Sequence, residues 1–191
     1  MNLDYTHDLQ ICLDTLKKGG VILYPTDTIW GIGCDATNEK AVDRIYQIKK
    51  RNESKSLIIL VPDESYIQYY CNDKTDSIFD FLKNVQKPTT IIFKNANNLP
   101  KNLINSDGSI GIRIVKDEFC KKLIKNFGKP IVSTSANISG SSSPQLFTDI
   151  TAEIKNEVDY IVEYRQEETI ISEASSIIGF NQDGSINLIR K

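Results

Sequence analysis

Four stretches of this chain hold hydroxyl, amide and cationic groups at spacings that suit an anionic ligand. YPTDTIWGIGCDA (24–36) carries Thr26 and Thr28, whose hydroxyls share a side if the segment is extended. The same letters also fit a polar turn leading to Trp30 as a core anchor. IKKRNESKSL (48–57) places Lys49, Arg51 and Lys55 before an apolar run. If the chain straightens after Lys49, Lys49 and Arg51 form a clamp of a point charge and a planar fork. If it does not, they are cations complementing a helix C-terminus. In SIGIRIV (109–115), Arg113 interrupts an apolar strand, and Ser109 lies on its face four residues earlier. Either that face meets solvent or Arg113 reaches a carboxylate. Finally, STSANISG (133–140) leaves a buried strand with Ser133, Thr134, Ser135 and Asn137. This is how open α/β sheets cradle polar ligands, and it is also how a self-satisfied turn network reads.

Cations for anionic charge, hydroxyls and an amide for orientation, and no histidine or cysteine nucleophile suit phosphoryl or nucleotidyl transfer. In that chemistry positioning and electrostatics do most of the work. Other classes fall away. The single histidine, His7, reads as a first-turn surface residue, so a zinc site or a Ser-His-Asp hydrolase has little to build on. The four cysteines are far apart and read as free packing residues of a reducing compartment. Gly31, Gly33 and Ala36 spell G-x-G-x-x-A, but Pro25 to Trp30 separate them from the preceding strand, which is the wrong context for a dinucleotide fingerprint. No Walker-type G-x-x-x-x-G-K-[ST] occurs. A net charge of −2 argues against a surface built for polynucleotide backbone. No apolar run approaches a membrane span, and the first residues lack a signal-peptide layout, so a cytoplasmic location is expected.

Helical and strand periods alternate along the elements that must position these groups. Leu9, Cys12, Leu13 and Leu16 form a helical stripe, and VILY (21–24) a buried strand. Val42, Ile45 and Tyr46 mark a helix after Thr37-Asn38, and LIILV (57–61) a second strand. A helix behind Asp76, the strand TTIIF (89–93), the alternating strand 109–115 and a helix from Phe119 to Phe127 follow. PIVS and DYIVEY read as strands, and SSIIGF with INLIRK as a hairpin around NQDG. The serine-rich SGSSSP (139–144) is too short for a linker. The expectation is one α/β domain, 1–191, with a twisted open sheet mixing parallel and antiparallel pairs.

PTDTIWGIG, KKRNESKSL, GIRIV and STSANISG, in this order, resemble the threonylcarbamoyl-AMP synthase family of YrdC-like proteins in its short single-domain form. The family signature, K-x-R followed by S-x-N, maps onto Lys49, Arg51, Ser135 and Asn137 as catalytic residues. The resemblance implies a deep electropositive cavity. It also implies a reaction: L-threonine, bicarbonate or CO2, and ATP give threonylcarbamoyl-AMP and pyrophosphate for tRNA threonylcarbamoyladenosine modification. Threonine would be held by Thr26, Thr28, Arg113, Ser133 and Ser175. The nucleotide would be held by Arg51, Lys55, Ser109, Ser135, Ser143 and Arg190, with Mg²⁺ carried mainly on the ATP phosphates. The implied partner is a separate tRNA threonylcarbamoyl transferase, with no strong nucleic-acid binding and no membrane. Where relatives carry a histidine after the second strand's L-I-V, this chain has Leu60. Two alternatives stand beside this: a non-catalytic RNA- or nucleotide-binding module, and a paralogue acting on another carbamoylated amino acid.

Overall fold

The computed structural model describes residues 4–51, 57–72, 76–181 and 185–191. The chain runs α1 (Thr6–Lys17), β1 (Ile22–Tyr24), β2 (Gly31–Gly33), α2 (Glu39–Ile48), β3 (Ile58–Val61), α3 (Glu64–Tyr70), α4 (Asp76–Asn84) and β4 (Thr89–Phe93). It continues through β5 (Ile110–Ile114), α5 (Glu118–Phe127), β6 (Ile131–Ser135), a 3-10 turn (Phe147–Asp149), α6 (Ala152–Glu157), β7 (Tyr160–Ile161), β8 (Ser176–Phe180) and β9 (Ile186–Arg190). The helices start where short polar side chains can hold the first free amides. Asn38 accepts from Ala41 N at 3.3 Å to open α2, and Asp117 accepts from Cys120 N at 2.8 Å to open α5. Their apolar stripes (Val42, Ile45 and Tyr46; Phe119, Leu123 and Ile124) enter the core.

Among the described residues the strands join in the order β7-β1-β2-β6-β3-β5-β4-β8-β9. Pairs β1/β7, β3/β5 and β4/β8 are parallel, and the other five are antiparallel. The expected mixed open α/β sheet is therefore present. Helices α1 and α5 pack together on it, with Tyr5 edge-on to Phe119 at 5.6 Å between ring centroids.

Several local expectations change. Strand β5 is buried on both faces, not one, and Arg113 is only 3% exposed. Strand β5 lies between β3 and β4 in mid-sheet, so both its edges are paired as well. DYIVEY contributes only the two-residue β7 before the chain turns away. Helices α3 and α6, and strand β2, carry no apolar period long enough to announce them. Strand β2 is Gly-Ile-Gly, and its glycines serve close approach. A Cβ on Gly33 would run into the Val132 carbonyl and sit 2.8 Å from the Tyr24 ring. The β8/β9 hairpin forms as expected, with an irregularity at Ile177/Ile178. The turn between these strands falls outside the described residues.

Candidate active site

A cavity of about 180 Å³ opens between the turn before β2, the ends of β3, β5 and β6, and strands β8 and β9. Arg51, Arg113 and Arg190 line it, and no carboxylate does so among the described residues. Two wider grooves, of about 390 and 400 Å³, lie elsewhere. One is walled mostly by acids, Asp4, Asp8, Glu163, Glu167 and Glu168, and the other mixes Asp63 and Glu64 with Lys116 and Lys121, so neither is free of carboxylates. The chemistry of the walls, rather than size, singles out the arginine-lined cavity.

Arg113 is wired in before any ligand arrives. Its Nη2 lies 3.2 Å from Asp27 Oδ1 and its Nη1 donates to Thr28 Oγ1 at 3.1 Å. Of the two readings left open for this arginine, the structure selects a carboxylate of the protein itself. Asp27 in turn accepts from Lys116 N at 3.1 Å through its other oxygen. The ion pair is close but poorly aligned for a hydrogen bond, and Arg113 Nε is buried without a partner among the described residues.

Thr26 and Thr28 do meet, but through a turn rather than an extended run. Thr26 Oγ1 accepts from Thr28 N at 3.0 Å and donates to Ile29 O at 2.8 Å, while the two hydroxyls stand 2.9 Å apart. Because the Thr26 hydrogen goes to Ile29, Thr28 donates to Thr26 and accepts from Arg113. Thr28 lines the cavity, whereas Thr26 sits behind it.

The Lys49–Arg51 clamp does not form as drawn. It required an extended chain after Lys49, but Lys50 takes a left-handed φ of 48° and Arg51 N returns to Tyr46 O at 2.9 Å. This helix-closing turn sends the two side chains apart. Arg51 lines the cavity, and burial lowers its pKa. Lys49 is buried behind the wall, 1% exposed, and its ammonium donates to Ser135 O at 2.6 Å and Asn137 O at 2.7 Å. The Lys49 carbonyl accepts from Ser139 N at 2.9 Å, so one residue grips the 135–139 loop at both ends. Burial first, and the Arg51 charge second, push the Lys49 pKa down to about 7.

Ser133 and Ser135, at the end of β6, and Ser143 face the same cavity as Arg51. Segments near residues 50 and 135 thus converge on one cavity, as the family resemblance implies. The Asn137 amide donates to Ile138 O (2.9 Å) and Ser141 O (2.8 Å), shaping the loop, and its Oδ1 is buried without a partner among the described residues. Ser109 lies off the cavity wall, its hydroxyl donating to Asp107 at 2.6 Å and accepting from Asn105 at 2.9 Å. Lys55 lies outside the described residues.

On the opposite wall, Ser175 and Arg190 meet. The guanidinium donates to Ser175 O from Nη2 at 2.7 Å and from Nε at 3.3 Å. Burial, and then the nearby Arg113 charge, lower the Arg190 pKa. Sequence assigned no site role to Thr90 or to the Arg113 partner Asp27, and Trp30 was read only as a core anchor. Asp27 had a legible signal, as the only acid inside the T-D-T turn.

The chain also resembles known proteins. A model of the Sua5/YciO/YrdC family, described as telomere recombination, matches residues 14–191. The threonylcarbamoyl-AMP synthase of Pseudoalteromonas translucida is 33% identical over 151 residues, covering 78% of this chain and 81% of that protein. A putative threonylcarbamoyl-AMP synthase of Methanocaldococcus jannaschii is 36% identical over 182 residues, covering 92% and 84%. Among solved structures, P. abyssi Sua5 complexed with L-threonine superposes with a TM-score of 0.89 at 24% identity. All of this chain is covered there, but it spans only 55% of the Sua5 chain. E. coli YciO superposes with a TM-score of 0.84 at 23% identity, covering 100% of this chain and 91% of that one. Matched over nearly all of its length, the chain belongs to the Sua5/YciO/YrdC family.

Proposed function

We propose that this protein is an L-threonylcarbamoyladenylate synthase, joining L-threonine, bicarbonate or CO2, and ATP into threonylcarbamoyl-AMP with release of pyrophosphate. The observation that carries this reading is a cavity with three arginines, a ring of hydroxyls and no lining carboxylate. Relatives named threonylcarbamoyl-AMP synthase, matched over most of their length, support the same reading. No helix among the described residues is long and apolar enough to cross a membrane.

Roles divide by wall. Arg113, held in place by Asp27 and Thr28, takes the threonine carboxylate, with Ser133 and Ser175 beside it. Arg51, Ser135, Ser143 and Arg190 face the nucleotide phosphates. Lys49 and Asn137 act from behind, holding the 135–141 loop in shape. The threonine amine takes up CO2 as a carbamate, and a carbamate oxygen attacks the α-phosphorus in line. The bond to pyrophosphate breaks as Arg51 offsets the charge on the departing group. Mg²⁺ enters on the ATP phosphates. Among the described residues no group of three His, Cys, Asp or Glu could hold it, and the arginines and hydroxyls of the cavity suit phosphate oxygens better than a bare cation. The product is an activated acyl-adenylate, to be consumed by a transferase acting on tRNA.

Pyrophosphate release from ATP, with threonine and bicarbonate omitted in turn, tests the reading. Release that needs both is expected. Release driven by a different amino acid would replace the substrate, and nucleotide or RNA retention with no release would replace the enzyme with a binding module.

A further inference from the structure

Thr90, on β4, has no role in the scheme above, yet it is completely buried in the cavity wall beneath Ser175. Its side chain is fixed by packing. Gly111 on the neighbouring β5 leaves a gap there, and a Cβ at that position would stand 3.3 Å from the Thr90 methyl and 2.9 Å from an Ile58 methyl. The threonine methyl fills that gap, and a β-branched side chain has few other rotamers to choose from. The hydroxyl is left aimed at Ser175 Oγ, 2.9 Å away.

Distance alone allows either hydroxyl to donate. Burial decides between them. A buried O–H requires an acceptor, and among the described residues the Thr90 hydroxyl meets only Ser175. Thr90 therefore donates, and Ser175 keeps its own hydrogen for the cavity. The Ser175 carbonyl is meanwhile held by Arg190. These two contacts pin a residue that ends the irregular stretch 168–175, just before β8, and so has no ladder of its own to orient it.

The geometry points to Thr90 as a positioning residue that makes Ser175 a hydrogen-bond donor to the carboxylate of the bound amino acid, alongside Arg113. This rests on the proposed synthase reading. Two variants separate the hydroxyl from its packing. Thr90→Val keeps the shape and loses the donor, whereas Thr90→Ser keeps the donor and loses the methyl against Gly111. KM for threonine, kcat, the threonine Kd by calorimetry and the melting temperature are measured for both and for the native protein.

The expected result is a crossing. Thr90→Val raises KM and Kd for threonine about tenfold, the scale of one hydrogen bond to a charged group, with kcat and melting temperature near native. Thr90→Ser lowers the melting temperature and keeps KM near native. Val and Ser variants whose KM follows their melting temperatures, or a Val variant with native KM and Kd, would overturn the assignment. A native protein that binds threonine without pyrophosphate release would refute the synthase reading alone, and the Kd comparison would still decide Thr90. One that neither binds nor turns over threonine would overturn both.

Discussion

Arg113 and Lys49 are both cations drawn almost wholly out of solvent, 3% and 1% exposed, and the molecule treats them in opposite ways. Arg113 has a carboxylate, Asp27, within 3.2 Å and presents its fork to the cavity. Among the described residues Lys49 has two backbone carbonyls on its ammonium and lies off the cavity wall. A carboxylate partner offsets the cost of burying a guanidinium. Carbonyl dipoles alone let burial win, and the lysine pKa falls to about 7. The lesson is that sharing a motif does not make two cations equivalent. Arg51 lines the cavity, and Lys49 braces the loop behind its wall.

The largest expected effect comes from breaking the paired cation. Arg113→Gln leaves Asp27 buried with no counter-charge and should cost about 3–5 kcal/mol of unfolding free energy, read by denaturant titration. Adding Asp27→Asn should restore most of that stability without restoring threonine binding. A single variant as stable as the native protein would show that the pair is not the anchor described. Next is Arg51→Ala, which should cost about 2–4 kcal/mol in the barrier, seen in kcat/KM for pyrophosphate release, with folding intact. Native turnover there would remove Arg51 from the phosphate wall.

The smallest effect sharpens the Lys49 side. Lys49→Met leaves the Ser135 and Asn137 carbonyls without their donor, for a loss of about 1–3 kcal/mol. It should also remove a pH dependence. Below about pH 7 the lysine is protonated both folded and unfolded, and the balance is flat. Between about 7 and its ordinary value of 10.5 the unfolded chain holds a proton that the folded chain has released. Native stability therefore rises with pH across that window relative to the Met variant. Parallel pH profiles for the two proteins would mean that Lys49 keeps its ordinary basicity.

What sequence could disclose tracks how local the cause is. The stripe of α2, the Asn38 cap and the β8/β9 hairpin depend on neighbours a few residues away, and all were readable. That Arg51 and Ser135 share one cavity followed from the family resemblance of the ordered K-x-R and S-x-N letters. The hand of the chain at Lys50 was not readable, since nothing in K-K-R requires a left-handed residue, and that single dihedral separates Lys49 from Arg51. Strand β2 was hidden for another reason. Its glycines weaken strand propensity and are there so that Val132 can come close. The partners of Arg113 and Thr90 both lie 85 or more residues away along the chain, Thr28 and Asp27 for one and Ser175 for the other. Only the strand order, with β5 between β3 and β4 and β8 beyond β4, brings them within reach.

That strand order has a consequence for how occupancy and integrity are linked. The walls come from Thr28, Arg51, Arg113, Ser135, Ser175 and Arg190, so no contiguous fragment of the molecule carries even a weak version of the cavity. Saturating ligand should protect distant strands from amide exchange as strongly as the walls themselves, because capture and global folding draw on one shared equilibrium.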